Sequence, residues 1–462
     1  MARGKKAAKE LTVEEKLEQA LVPVDELPYP VPENWCWTRM KNVAQWGSGG
    51  TPSRKNSSYY QGTVPWIKTG ELNDNYIFET EEHISDDAIA NSSAKIFPVN
   101  TIAIAMYGAT IGKVGIFGIE ASCNQACACG VVSSAVYFKY LFYYALSQKD
   151  TFVKKGKGGA QPNISQEIIK AHEIPLPPFA EQKRIVDRIE GIFAKLDEAK
   201  EKAQGVVDGF ELRKSAILHK AFTGELTEQW RQEHRVGMDS WTTRLLKDVA
   251  CLQTGLMKGK HYTGKTRFLP YLRVANVQDG YLDLEEVKEI EVSETLIQRY
   301  LLKQGDVLFT EGGDFDKLGR GAVWENQIEN CLHQNHVFVV RPNENILNPY
   351  FLSIQAGSRY GKKYFLGCSK QTTNLASINS TQLKKFPVMI PCMEEQIKIV
   401  HLIKSLLKKE QQAKESAESV LDQIDTMKKA VLARAFRGKL GTNDLEDESA
   451  AELLKEVMQR ET

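Results

Sequence analysis

Two stretches of equal length, EQKRIVDRIEGIFAKLDEAKEKAQGVVDGFELRKSAILHKAF (181–222) and EQIKIVHLIKSLLKKEQQAKESAESVLDQIDTMKKAVLARAF (395–436), decide the fold of this chain. In both, apolar residues recur at alternating spacings of three and four, which is the seam pattern of a coiled coil. A helix of roughly 42 residues spans about 63 Å. We therefore predict two long helices that pair antiparallel. The predicted seam residues are Ile185, Ile189, Ile192, Leu196, Phe210, Ile399, Ile403, Leu406, Val420, Ile424 and Val431.

The register of this helix pair stays open at the level of sequence. Either the alanine layers of the two helices face each other, or Arg213 lies near Glu410, and the two alignments differ by about one heptad. A competing interpretation is two independent surface helices, each packed on its own globular domain. The equal spacing of 43 residues from each Glu-Gln start to its closing glycine, Gly224 or Gly438, argues against that interpretation.

The rest of the chain repeats the same order of short motifs twice. The offset between copies rises from 204 at Trp37/Trp241 to 205 at Pro65/Pro270, 211 at Asn163/Asn374 and 214 at Glu181/Glu395. Two globular units have therefore diverged while the helices between them kept one length. The predicted fold is mixed α/β: two globular units separated by an antiparallel coiled coil, with an internal pseudo-two-fold repeat.

The motifs also set the expected domain boundaries. We expect an N-terminal extension over 1–33, a first globular unit over 34–178 and a first long helix over 179–224. A linker over 225–238, a second globular unit over 239–391, a second long helix over 392–440 and a tail over 441–462 complete the prediction.

Composition limits the class of protein. The 462 residues have a net charge of only +1, so any binding of nucleic acid must come from local basic patches. No apolar run reaches the roughly 18 residues of a membrane helix, and the charged N-terminus does not resemble a secretory signal. Eight scattered cysteines suit a reducing compartment. We expect a cytoplasmic protein without a membrane span.

Three motifs suggest chemistry but lack the context it needs. GKHYTGKT (259–266) matches a phosphate loop, yet an extended, proline-bearing segment follows where a helix is required. NPYF (348–351) has a tyrosine in the third position of an amino-methyltransferase motif, and an N-cap followed by proline explains it. Cys123, Cys127 and Cys129 match no zinc spacing and suggest a buried strand. We expect no catalytic residue, no metal site and no cofactor in this chain.

Several short phrases, repeated in order, carry a family resemblance. They are GGTPS (49–53), IGKVG (111–115), PPFAEQ (177–182) and ARAFRG (433–438). With the doubled architecture, they make the chain resemble the specificity subunit of type I restriction-modification systems along nearly its whole length. The second copy departs from the pattern at 254–260, in place of the Gly-Gly-Thr-Pro loop, and at 392–394.

The resemblance implies a function and a set of partners. Each globular unit would be a target recognition domain that reads one half of a split, asymmetric sequence in double-stranded DNA. The long helices would space these domains and dock two modification subunits, which bind S-adenosylmethionine and methylate adenine. Restriction subunits that use ATP and Mg²⁺ would join them. This chain would itself be non-catalytic.

Polar loops supply the candidate DNA contacts. Phosphate contact needs Lys, Arg or exposed amides, and base readout needs Arg, Asn, Gln or carboxylates. The candidates are Ser48, Thr51, Ser53, Arg54, Lys55, Lys68, Lys113, Lys157, Gln161 and Asn163 in the first unit, and Lys258, Lys260, Arg273, Asn276, Glu311, Asp314, Arg320, Gln371, Thr372 and Asn374 in the second. The plain alternative is that these loops are ordinary surface turns. The alternative function is a helical tether with two protein-binding ends.

Overall fold

The computed structural model describes residues 12–156, 162–259, 264–313, 318–371 and 376–460. The chain forms two compact units. Unit 1 takes the residues up to Lys202 and those from Val420 onward, and unit 2 takes Ala203–Ser419. Each unit contains a mixed α/β domain together with segments of long helices, which confirms the predicted fold class.

The α/β domain of unit 1 is built on a five-stranded sheet of order β2-β9-β6-β7-β4. A three-stranded sheet of order β5-β3-β8 and the pair β1-β10 complete it. The elements are α1 (Val13–Ala20), β1 (Cys36–Arg39), β2 (Ala44–Ser48), β3 (Val64–Ile67), β4 (Asn75–Ile77), β5 (His83–Ile84), α2 (Asp86–Ala90), β6 (Ile102–Ala105), β7 (Val114–Phe117), β8 (Ser122–Cys123), β9 (Cys127–Val132), α3 (Phe138–Ser147), α4 (Lys149–Lys155), α5 (Gln166–Lys170) and β10 (Glu173–Leu176).

Strand β6 shows why the central sheet forms. All four of its residues are buried, and successive side chains of a strand point to opposite faces. Ile102 and Ile104 pack into the main core of the unit, whereas Ala103 and Ala105 pack into a smaller cluster on the other face. The continuous apolar run Ile-Ala-Ile-Ala is therefore the sequence of a strand covered on both sides.

The first long helix is locally distorted at Gly209, where the sequence predicts a regular helix, but the Gly209 amide still donates to the Gly205 carbonyl oxygen at 3.1 Å and the Gly209 carbonyl oxygen accepts from the Arg213 amide at 3.0 Å. The helix forms α6 (Phe179–Asp208) and α7 (Phe210–Phe222). Arg213 lies at the distortion, where its Nη2 donates to the carbonyl oxygen of Val206 at 2.7 Å. A Cβ on residue 209 would lie 2.4 Å from Arg213 Nη1. Glycine thus leaves room for a guanidinium that donates to a carbonyl oxygen at the distortion.

Unit 2 repeats the architecture of unit 1. Its four-stranded sheet has the order β12-β19-β15-β17, which matches β2-β9-β6-β7, and its sheet β14-β13-β18 matches β5-β3-β8. The elements are α8 (Glu228–His234), β11 (Thr242–Leu245), α9 (Leu246–Val249), β12 (Ala250–Gln253), β13 (Thr266–Leu272), β14 (Lys288–Ser293), α10 (Glu294–Tyr300), β15 (Val307–Thr310), β16 (Gly312–Gly313), β17 (Gly321–Val323), β18 (Leu332–His333), β19 (Val337–Pro342), α11 (Pro349–Gly357), α12 (Arg359–Cys368), β20 (Lys370–Gln371), β21 (Ala376–Ser377), α13 (Ser380–Lys384) and β22 (Pro387–Ile390). The internal repeat is therefore a repeat of strand order as well as of motifs.

The second long helix, α14 (Met393–Ala435), is continuous, and α15 (Ala450–Arg460) follows it. Within unit 1, the end of α14 runs antiparallel to the start of α6. Arg184 Nε donates to the carbonyl oxygen of Thr442 at 3.0 Å, and Lys428 Nζ donates to Asp197 Oδ1 at 2.5 Å. No helix in the described part of the chain combines the length and hydrophobicity that a bilayer crossing requires.

Within unit 2, α7 and the start of α14 are likewise antiparallel. Arg213 Nε donates to Glu410 Oε2 at 2.6 Å, and Lys414 Nζ lies 5.0 Å from the ring centre of Phe210. Of the two alignments compatible with the sequence, the one that places Arg213 near Glu410 is therefore the one observed.

Burial along the predicted seam is uneven. Ile185, Ile189, Ile399, Ile403 and Ile424 are buried. The half-buried seam residues are Ile192, Leu196, Phe210, Leu406 and Val431. Val420 is 41% exposed, so a buried side chain at that position was wrongly predicted. A helix of 3.6 residues per turn drifts away from a strict 3.5 repeat, which moves a residue off the seam after several turns.

The Glu-Gln motif that opens each long helix is a buried junction. Glu181 and Gln182 are fully buried, and Gln182 Oε1 accepts from the Tyr137 backbone amide at 2.8 Å. Gln396 does the same for the Asn348 amide at 2.8 Å. The motif recurs because each helix must be joined to its α/β domain by the same hydrogen bonds.

The junctions also correct the alignment of the two copies at their start. Glu181 Oε2 accepts from Trp35 Nε1 at 2.7 Å, and Glu395 Oε2 accepts from Trp241 Nε1 at 3.0 Å. Trp241 therefore corresponds to Trp35, and its pairing with Trp37 was wrong. Trp37 instead donates from Nε1 to the carbonyl oxygen of Tyr29 at 3.2 Å.

Candidate nucleic-acid interface

The Gly-Gly-Thr-Pro loop of unit 1 rests directly on the turn after β8. The Gly50 amide donates to the Cys123 carbonyl oxygen at 2.9 Å, and a Cβ on Gly49 would lie only 1.9 Å from the same oxygen. In unit 2, a Cβ on Gly255 would lie 2.3 Å from the His333 oxygen. Both loops therefore need glycine at this point because two backbones touch there.

Four of the predicted contact residues on this loop, Thr51, Ser53, Arg54 and Lys55, are exposed, and Ser48 is half-buried at the end of β2. Arg54 is already paired. Its Nη1 lies 2.7 Å from Glu82 Oε2, and its guanidinium carbon lies 4.0 Å from the ring centre of Tyr60. A phosphate would have to compete with this carboxylate for Arg54.

Lys68 shares the same carboxylate. Its Nζ donates to Glu81 Oε2 at 2.9 Å and to Glu82 Oε1 at 3.1 Å. Hydrogen bonds from Arg54 and Lys68 lower the pKa of Glu82, so the carboxylate stays ionised at neutral pH. Glu71 adds a third carboxylate, which accepts from the Lys68 and Glu81 backbone amides at 2.7 and 2.9 Å, so the two cations of this corner face three carboxylates and leave no surplus positive charge. Of the candidate cations of unit 1 that are described, Lys55 and Lys113 are the two that form no ion pair with a described residue.

Two distant motifs of unit 1 meet beside the loop between β6 and β7. Tyr107 forms a β-bridge with Asn163, and the Ile164 amide donates to the Met106 carbonyl oxygen at 2.9 Å. Tyr107 is 45% exposed, Asn163 is exposed, and Lys113 ends the same loop half-buried. The candidate residues Lys113 and Asn163, 50 positions apart in the chain, thus belong to one surface.

The corresponding surface of unit 2 follows β15. The Ile378 amide donates to the Glu311 carbonyl oxygen at 2.7 Å, just as Ile164 does to Met106. Asn163 therefore corresponds to Ser377, and the alignment of Asn163 with Asn374 was wrong. The carboxylate of Glu311 contacts His336 Nδ1, and both side chains are partly exposed.

The other predicted DNA contacts of unit 2 are either hydrogen-bonded within the unit, exposed, or outside the described residues. Arg320 Nη1 donates to Gln278 Oε1 at 2.9 Å, and Arg273 Nη2 donates to the Glu286 carbonyl oxygen at 3.2 Å. Lys258 is exposed. Six predicted contacts lie outside the described residues: Lys157, Gln161, Lys260, Asp314, Thr372 and Asn374. Gln371 is described only as the backbone of β20.

Asn276 is buried and does not lie on the surface, so its prediction as a DNA contact was wrong. It is 3% exposed, its Oδ1 accepts from the Arg273 amide at 2.9 Å, and its Nδ2 donates to the Asp283 and Glu286 carbonyl oxygens at 2.9 and 3.0 Å. A fully satisfied buried amide shapes the loop and leaves no group for DNA.

Replacing Asn276 with alanine should therefore lower the stability of unit 2 by about 1–3 kcal/mol, because buried backbone groups lose their partners. Backbone hydrogen exchange would measure this loss. The exposed Asn345 of the same unit is the control, and its replacement by alanine should change stability by at most about 0.5 kcal/mol. A changed DNA target with unchanged stability would restore Asn276 as a contact residue.

Two amide side chains that the sequence analysis missed lie at equivalent places. Gln125 follows β8 in unit 1 and is exposed, and Asn335 follows β18 in unit 2 and is half-buried. Thr51 Oγ1 donates to Gln125 Oε1, and Asn335 Nδ2 lies 3.3 Å from His336 Nε2. In the sequence, the only sign of this equivalence is that Asn124-Gln125 in the first copy corresponds to Gln334-Asn335 in the second. Both pairs lie between the repeated motifs.

The three clustered cysteines of unit 1 are buried in strands β8 and β9, as their apolar neighbours predict. Cys123 Sγ lies 3.1 Å from Cys129 Sγ, and burial raises the pKa of the Cys129 thiol. Throughout the described ranges, no group of three or more His, Cys, Asp or Glu side chains is arranged to hold a metal ion.

A family model described as "Type I restriction modification DNA specificity domain" matches residues 32–205 and again 238–419. The chain belongs to this family. The two matched segments contain the two α/β domains, so the repeat of motifs and of strand order is also a repeat of the family domain.

Known relatives extend over almost the whole chain. The EcoKI specificity subunit of Escherichia coli (strain K12) is 24% identical over 424 residues, which are 89% of this chain and 90% of that protein. The StySPI specificity subunit of Salmonella potsdam is 22% identical over 421 residues, with the same coverage. The crystal structure of the HsdS subunit from Thermoanaerobacter tengcongensis shares the fold, with a TM-score of 0.65 and 17% identity, over 90% of this chain and 100% of that one.

Proposed function

We propose that this chain is the DNA sequence-specificity subunit of a type I restriction-modification enzyme, and that its two α/β domains each read one half of an asymmetric, two-part site. One observation carries the proposal. The same strand order and the same backbone hydrogen bonds are used twice, while the side chains on equivalent loops differ. Two domains that share a fold but carry different polar side chains are suited to recognising two different half-sites.

Equivalent positions illustrate the difference. Where unit 1 has Met106 at the end of β6, unit 2 has Glu311 at the end of β15. Where unit 1 pairs Lys68 with Glu81 and Glu82, unit 2 has Arg273. The Glu311 carboxylate is partly exposed and contacts His336, whereas Met106 is 3% exposed and packs in the core of unit 1, so only unit 2 has a polar side chain at this place. The two units should therefore prefer different bases.

The partners follow from the same proposal. Two modification subunits would dock on the long helices, one for each copy of the buried Glu-Gln junction, since a doubled scaffold offers two equivalent surfaces. They would bind S-adenosylmethionine, and the restriction subunits would use ATP and Mg²⁺. The specificity subunit would hold no cofactor and carry out no catalytic step, and it would work in the cytoplasm, where its eight free cysteines stay reduced.

Salt-dependent DNA binding by the full chain with its modification subunits tests the function. We expect the logarithm of the binding constant to fall linearly with the logarithm of salt concentration, because bound cations release counterions from phosphates. Methylation mapping should then show adenines in two unlike half-sites separated by a spacer of fixed length. Binding without salt dependence, or no sequence preference, would instead favour the protein-binding tether.

A further inference from the structure

We propose that Gln125 in unit 1 and Asn335 in unit 2 are base-reading residues, each of which recognises the major-groove edge of one adenine in its own half-site. The inference rests on the proposed function and names specificity-determining residues for it. It depends on three observations: equal placement of the two amides, exposure of Gln125 and partial exposure of Asn335 beside the candidate contact loops, and hydrogen-bonding groups that no described residue uses.

The two amides occupy the same place in the two domains. In unit 1, the Asn124 amide donates to the Ile67 carbonyl oxygen at 2.9 Å, and the Met106 amide donates to the Ala126 oxygen at 2.9 Å. These bonds fix the backbone on both sides of Gln125.

The same two bonds recur in unit 2. The Gln334 amide donates to the Leu272 oxygen at 2.9 Å, and the Glu311 amide donates to the His336 oxygen at 3.0 Å. Asn335 stands between them, as Gln125 does in unit 1. A turn pinned on both sides presents its central side chain with little loss of conformational entropy on binding.

A different neighbour orients each amide. In unit 1, Thr51 of the Gly-Gly-Thr-Pro loop donates its hydroxyl to Gln125 Oε1. In unit 2, Asn335 Nδ2 donates to His336 Nε2, while His336 Nδ1 donates to the carboxylate of Glu311. Glu311 and His336 are thus positioning residues for Asn335, and Thr51 is the positioning residue for Gln125.

The groups left over match adenine. Gln125 Oε1 has two lone pairs and gives one to Thr51, so with respect to the described residues the other lone pair and both N–H groups remain. Within the same described residues, Asn335 uses one N–H for His336 and keeps the second N–H and its oxygen. One free acceptor next to one free donor is the pattern that pairs with N6–H and N7 of adenine.

The test pairs protein variants with altered DNA, using the full chain assembled with its modification subunits and the site found by methylation mapping. Replacing Gln125 with alanine should weaken binding of that site on the order of 10-fold and relax one adenine of one half-site. Replacing Asn335 with alanine should do the same in the other half-site only. Each variant is the control for the other, and Gln45→Ala, an exposed amide on β2 of unit 1, should change neither.

Substituting 7-deazaadenine, which lacks the N7 acceptor, identifies the contacted base. At the adenine read by Gln125, it should weaken binding by the wild-type complex and have little further effect on the Gln125→Ala complex. His336→Phe should lose discrimination at the adenine read by Asn335, and His336→Gln, which keeps a hydrogen-bonding group, should regain part of it.

Several results would overturn the assignment. They are unchanged discrimination in both alanine variants, loss in the same half-site from both, or equal sensitivity of wild type and variant to 7-deazaadenine at every adenine. Uniform weakening on all sequences would also overturn it, while leaving the proposed function intact. Absence of salt-dependent binding by the wild-type complex would reject the proposed function itself.

Discussion

Replacing Glu395 with glutamine is expected to lower the free energy of unfolding of unit 2 by about 3–5 kcal/mol. Glu395 is fully buried, and its Oε1 lies 2.7 Å from Nη1 of Arg231, whose side chain is 8% exposed. The single oxygen of glutamine can still accept from Thr227 and Arg231, but its NH2 group then faces the donor Nε1 of Trp241. The arginine is left as a buried charge without a counterion. Hydrogen exchange, which separates the two units, is the suitable measurement because a two-unit chain need not unfold in one step.

Glu181 supplies a matched control for this experiment. It is equally buried at the start of the other long helix, but its partners are Trp35, Thr442 and Asn443, none of them a cation. Glu181→Gln should cost less, about 1–3 kcal/mol in unit 1, since weaker hydrogen bonds are lost but no charge is stranded. Equal costs for the two variants would show that the unpaired arginine is not the cause.

The long helices could be predicted because their periodicity is a property of the sequence itself. The distortion at Gly209 could not, since the cost of a glycine in a helix, about 1 kcal/mol, does not decide whether a long helix stays regular. The distortion depends on tertiary contacts of a neighbouring side chain. Arg213 turns back to the Val206 carbonyl while it also reaches Glu410 on another helix. That ion pair likewise selects the register that the seam alone leaves open.

The alignment of the two copies shows where sequence similarity misleads. Trp35 and Trp37 are both buried, at 6% and 4% exposed, and only hydrogen bonding shows that Trp35 is the counterpart of Trp241. Asn374 matches Asn163 by residue type, yet the backbone bond from Ile378 assigns that place to Ser377. Two residues of the same type need not be structurally equivalent, because equivalence depends on the backbone hydrogen bonds. The two criteria disagree where one copy has extra loop residues.

The candidate interface was predicted in outline but not in its electrostatics. The sequence shows that Arg54 and Lys68 are basic loop residues, but Glu82, which forms an ion pair with each of them, lies too far along the chain for local patterns to connect them. Asn276 has a side-chain amide of the kind that contacts DNA, but its hydrogen-bonding groups are already bonded to the backbone. Gln125 was missed because a single amide between two short strands carries no periodic signal.

Replacing Leu454 with alanine should lower the stability of unit 1 by about 2–5 kcal/mol, because a large side chain leaves a packed core. Leu454 lies on α15, is fully buried and belongs to the main hydrophobic core of unit 1. The sequence alone assigns no role to this tail. Hydrogen exchange in unit 1 and the thermal unfolding midpoint would measure the change.

Leu445, in the same tail but 70% exposed, is the control, and its replacement by alanine should alter stability by at most about 0.5 kcal/mol. The contrast decides between two roles for the tail. If it completes unit 1, as the bonds from Thr442 and Asn443 to Glu181 indicate, only Leu454→Ala weakens the unit. If it is instead a contact for partner subunits, Leu454→Ala would leave stability unchanged while assembly with the modification subunits fails.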